Sequence, residues 1–145
     1  MARIELGDQV IEYDRELTQR AYSDIKGGDA DRCGCSYCRN FSAQRRTAFP
    51  AEFLNLLDRI GIDAGKEGEV YDCGVVDELR IYGGWFYFAG KLIEAGERLA
   101  TLAADFQYWV GDGKHMPKAP ADFGSDVLAV EFYSKLPWIL PEKPD

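Results

Sequence analysis

Histidine is almost missing from this chain: His115 is the only one in 145 residues. Chemistry that needs several imidazoles, such as a HExxH metal helix, is closed to it. Long apolar runs are missing too, and residues 1–8 hold a single basic residue with no apolar stretch behind it. No membrane span and no secretory signal are expected, which points to a cytoplasmic protein. The sequence also lacks a phosphate-binding glycine loop and a GxSxG elbow. Positive charge is in short supply, with 17 Lys and Arg against 25 Asp and Glu and a formal net charge of −8. Binding to nucleic acid or to anionic lipid draws on cationic side chains, so neither partner is expected. Repeats, low-complexity tracts and linkers are absent, and residues 1–145 read as one domain.

What is present is a globular composition, 46% hydrophobic and 29% charged, long enough to bury most of its apolar surface without disulfides. Residues 3–6 and 9–13 flank Gly7-Asp8 and read as a hairpin. Residues 16–25 suit helix or strand about equally, and 26–31 are loop. From 36 to 48 the residues favour helix, with Ser36 as its cap and Phe49-Pro50 as its stop. A second helix starts at Pro50, carries Phe53, Leu56, Leu57 and Ile60 on one face, and stops at Gly61.

The second half changes character. Stretches 69–72, 79–82, 85–93, 106–110 and 127–133 are aromatic and β-branched and read as strands. Gly83-Gly84 is expected to close a hairpin, residues 99–105 to form one or two helical turns, and Gly111 to Lys114 to form a turn. The proline-rich end, 136–144, should dock as an extended tail. The expected architecture is α+β, an N-terminal helical part packed on a C-terminal antiparallel meander.

Three of the four cysteines, Cys33, Cys35 and Cys38, fall within six residues. Extended backbone would place the first two on one side about 6.6 Å apart, and a turn would bring them closer. A helix capped at Ser36 would put Cys38 in its first turn, where backbone N–H groups favour a thiolate; Arg32 and Arg39 push the same way. Zinc takes four such ligands, and Cys73 or His115 can complete the set. Cys33, Cys35, Cys38 and Cys73 are therefore candidate ligands for a structural zinc ion. A CxxC redox pair of Cys35 and Cys38 is the alternative, an iron–sulfur cluster fits no common spacing, and buried cysteines at a loop-to-helix junction explain the cluster without a ligand.

The cysteines head a stretch free of acidic residues between Asp31 and Glu52, holding Arg32, Arg39, Arg45 and Arg46. These four are candidates to bind an acidic protein or a small anion, Arg39 and Arg46 sharing a helix face; a solvated face is the plainer reading. Trp85, Tyr87, Tyr108, Trp109 and Trp138 are candidates to line a ligand groove, or to pack the sheet. No residue is assigned a catalytic role, because His115 has no evident nucleophile to serve.

The segments Cys33-Gly34-Cys35-Ser36-Tyr37-Cys38-Arg39-Asn40-Phe41, Gly84-Trp85-Phe86-Tyr87-Phe88-Ala89-Gly90 and Leu136-Pro137-Trp138-Ile139-Leu140 resemble a group of small uncharacterised bacterial proteins. The likeness implies a compact bacterial domain and carries over no catalytic residue. The function expected from the residues is that of a non-catalytic binding module, with a thiol-dependent redox or metal enzyme centred on Cys35 and Cys38 as the alternative.

Overall fold

The computed structural model describes residues 1–97, 100–103, 105–113, 116 and 121–145. Its spine is a 16-residue strand, β4 (Leu79–Glu94), along which the other strands are arranged. One edge of β4 pairs antiparallel with β7 (Val127–Leu136) from Arg80 to Ala89. The opposite edge is shared. β3 (Glu69–Val76) takes its first half, and β2 (Gln9–Tyr13) takes Gly90 to Glu94. β1 (Ala2–Leu6) lies outside β2, and β6 (Phe106–Asp112) and β5 (Ala100–Ala103) lie beyond β7. The result is a seven-stranded antiparallel sheet.

The gap on that shared edge is filled by α1 (Arg15–Ser23). Asp14 donates its backbone N–H to the Ala89 carbonyl, the Ala89 N–H is taken by Thr18 Oγ1 at 3.0 Å, and the Tyr22 hydroxyl reaches the Tyr87 carbonyl at 2.6 Å. A helix thus satisfies the backbone that two strands leave open, as buried polar groups require. The remaining helices are α2 (Asp29–Cys33), α3 (Ser36–Ala43), α4 (Arg45–Ala48) and α5 (Ala51–Ile60). Phe41, Phe49 and Phe53 from this helical layer meet Phe86, Phe106 and Phe132 of the sheet, with ring centroids as close as 4.7 Å for Phe53–Phe106. Each fully buried ring contributes about 1.5–3 kcal/mol by burial alone.

The α+β class, the first hairpin and α5 match the sequence expectation. Several details do not. Helices and strands are interspersed: β1 and β2 precede the helices and join the same sheet, so the order is not helices first and meander after. Gly83-Gly84 closes no hairpin and lies inside β4, where a Cβ on Gly83 would sit 2.5 Å from the Tyr71 ring and one on Gly84 2.6 Å from the Phe132 ring. Close approach, not turning, is what these glycines permit. The turn is Asp77-Glu78, both at positive φ (51° and 67°), as a two-residue hairpin demands. The helix expected over 36–48 breaks at Gln44, whose side-chain amide bonds the Asn40 and Pro137 carbonyls. Its cap is Cys35 and not Ser36. Residues 100–103 are strand β5, which pairs with β6, and Gly111 and Asp112 belong to β6. Among the described residues no helix is long and apolar enough to cross a membrane.

Candidate metal centre

The cysteine segment is a helix–glycine–helix corner. α2 ends at Cys33, Gly34 reverses the chain at φ +76°, and Cys35 opens α3. Nothing lies within 4 Å of where a Gly34 Cβ would be, so glycine is needed there for its left-handed backbone and not for space. Cys35 Sγ accepts the Cys38 backbone N–H at 3.4 Å, the bond a serine or aspartate makes at an N-cap. Cys33 Sγ lies 3.3 Å from Cys35 Sγ, and the three sulfurs all fall within 4.8 Å of one another. Cys33 is exposed, Cys35 half-buried and Cys38 buried. This geometry can hold a metal ion. Zinc with bonds of about 2.3 Å to sulfur needs ligand atoms about 3.8 Å apart, a spacing this cluster brackets.

The protonation pattern reverses the sequence expectation. The Cys33 thiol is held below its ordinary value by the Cys35 backbone N–H, then by the Cys38 and Cys35 thiols. Cys38 is pushed well up by burial, and its thiol is further held in the protonated form by the other two sulfurs. The helix N-terminus cannot offset that burial, so the readily ionised sulfur is Cys33. Cys73 lies on β3 and is not a member of the group; burial and the neighbouring Asp72 push its thiol up. His115 lies outside the described residues.

The four arginines have diverged. Arg39 pairs with Glu142 and donates to the Gly34 carbonyl at 3.2 Å, bracing the corner. Arg45 pairs with Asp31 at 3.0 Å and with Glu67, whose side chain is fully buried. Burial raises Glu67 despite that partner, because desolvating a carboxylate outweighs one ion pair. Arg32 bonds only the Gly27 carbonyl, and Arg46 is exposed; neither has a carboxylate partner among the described residues. Since α3 and α4 are separate, Arg39 and Arg46 do not share a continuous helix face. The aromatics also separate. Tyr108 packs on Phe53 under the helices, Trp138 stands against Tyr37, and Trp85, Tyr87 and Trp109 lie on the other side of the sheet.

The proline-rich tail docks, as expected, and the place where it docks is this corner. Asn40, fully buried, donates to the Tyr82 hydroxyl and the Pro137 carbonyl and accepts the Ile139 N–H at 2.9 Å. The Ser36 N–H donates to the Asp145 carboxylate, and the Asp145 N–H returns a bond to Ser36 Oγ. The Arg80 guanidinium covers the rings of Tyr37 and Trp138 at 4.9 and 5.6 Å. A buried asparagine two residues after a cysteine cluster is the signal for this contact, since such an amide must find partners. Comparison with known proteins finds no matching family model, no matching curated protein and no matching solved structure.

Proposed function

We propose that the protein is a non-catalytic binding module of the bacterial cytoplasm whose Cys33, Cys35 and Cys38 hold a structural zinc ion. The observation that carries the reading is the convergence of three sulfurs within 4.8 Å on a preformed corner. They supply three of the four positions zinc takes, and a structural site needs a fourth protein donor, from this chain or from a partner, to close the tetrahedron. Thiolate ligands lose their protons on binding, so zinc would displace the proton that Cys38 now holds. Arg32 and Arg46 remain available to an acidic protein or a small anion. The test is elemental analysis of protein purified without a histidine tag, with thiols counted before and after chelation. About one zinc per chain, with three thiols released by the chelator, supports the reading. A metal-free protein that takes up no zinc overturns it.

A thiol redox site is the second reading, favoured by the exposure of Cys33 and its lowered thiol. Its nucleophile would be Cys33 in place of the CxxC pair. Fast single-thiol labelling at Cys33 in zinc-free native protein supports it, and uniform slow labelling removes it.

A further inference from the structure

The sheet face turned away from α3, α4 and α5 carries a second constellation, independent of the cysteines. Strand register sets Glu69, Trp85, Glu131 and Trp109 side by side across β3, β4, β7 and β6. Directly opposed residues on neighbouring strands have Cβ atoms about 4.5–5.5 Å apart, so Glu131 stands between two tryptophans. The next row sets Ala129 and Gly111 on β7 and β6 beside Tyr87 on β4, and a Cβ on Gly111 would sit 3.7 Å from Glu131 Oε2. The carboxylate therefore leans over Gly111 with an indole on either side.

Glu131 is half-buried, with no hydrogen bond and no ion pair among the described residues, and burial alone pushes its carboxyl up. A desolvated carboxylate without a partner is costly to keep. Lys135 lies four residues along β7, about 13 Å away at the strand rise, too far to pair. Trp85 is 7% exposed and packs on Tyr71, forming a dry wall. Trp109 is half-buried and has no ring partner among the described residues. A divalent metal would find one carboxylate here and no second hard ligand, since Glu69 lies two strands away, about 9.6 Å. An organic cation finds what it needs: a negative charge, an indole face within about 6 Å, and small residues below.

We propose that Glu131 and Trp109, backed by Trp85, form a binding site for an organic cation bearing an alkylated ammonium head of trimethylammonium size. The test titrates the full chain with tetramethylammonium chloride against potassium chloride at equal ionic strength, following tryptophan fluorescence and the Trp109 indole resonance. A saturable response to tetramethylammonium alone is expected. Glu131→Gln keeps the shape and removes the charge, and relieving a half-buried charge leaves the fold intact; it should weaken binding about tenfold or more. Trp109→Leu should weaken it comparably. No saturable response, or wild-type affinity in folded Glu131→Gln, overturns the proposal. A trimethyllysine peptide binding more tightly than free trimethyllysine would assign the head group to a protein ligand, and equal affinity to a free metabolite; both outcomes retain the site.

Discussion

The two ends of α3 are held by different forces. At its C-terminal end Asn40 and Phe41 are fully buried, and Phe41 meets Phe49, Tyr82 and Phe132 at 5.5–6.2 Å between ring centroids. At its N-terminal end the sulfurs are set by a left-handed glycine, a cap and contacts with one another, and two of them reach solvent. The core is built mainly on the first end; of the sulfurs at the second, Cys38 joins it, Cys35 packs against it and Cys33 stays outside. An exposed thiol held beside two others is one that a ligand can use. The contrast predicts that substitutions will separate stability from metal binding as they move along the helix.

Phe41→Ala should have the largest effect, about 3–5 kcal/mol in urea denaturation, because it empties an aromatic cluster that cannot collapse into the space. A loss below about 1 kcal/mol would break the contrast, showing that this end is no better packed than the other. Asn40→Ala comes next at about 1–3 kcal/mol, since it strands the Ile139 N–H and takes one of two hydrogen bonds each from the Tyr82 hydroxyl and the Pro137 carbonyl. It should also release the tail, read as faster amide exchange at Ile139.

Much of this contrast was open to the sequence, though not all. The 3.6-residue spacing of Phe53, Leu56, Leu57 and Ile60 located α5 because it buries that face, and Gly61 stops it at φ +96°. Cysteine density alone pointed to the corner. The Gly83-Gly84 pair misled because the same missing Cβ serves a turn and a close approach, and only the positions of Tyr71 and Phe132 decide which. The docking of the tail was expected, but its place on α3 and the row containing Glu131 depend on contacts between segments far apart in the chain, which local pattern does not encode.

The buried pair behind the corner offers a pH test. Glu67 has a folded pKa above its unfolded value, so its contribution favours folding below the ordinary carboxylate range and is lost as pH rises through the raised value. Asp31 is lowered by Arg45 and the Gly28 N–H, so its contribution is present above the ordinary range and lost as pH falls through the lowered value. Glu67→Gln should therefore remove a decline in stability between the ordinary carboxylate value and the raised one, leaving the acid limb of Asp31 in place. Denaturation midpoints measured across mildly acid pH check this, and an unchanged slope in Glu67→Gln would show that the Arg45 pair cancels the burial of Glu67.

Cys33→Ser should have the smallest intrinsic effect, within about 0.5 kcal/mol of wild type in metal-free protein, because the side chain is exposed and meets only the Cys35 N–H and its sulfur neighbours. With zinc the expectation inverts. A ligand at about 100 times its dissociation constant adds about 2.7 kcal/mol to the state that binds it, so zinc should raise the wild-type melting temperature and leave Cys33→Ser unmoved. Cys38→Ser should also lose the zinc response, but it places a hydroxyl in a buried site and costs some stability without metal. Cys73→Ser, outside the cluster, should keep the response in full. If Cys73→Ser loses it as well, the fourth ligand comes from β3, and binding metal must draw that strand toward the corner.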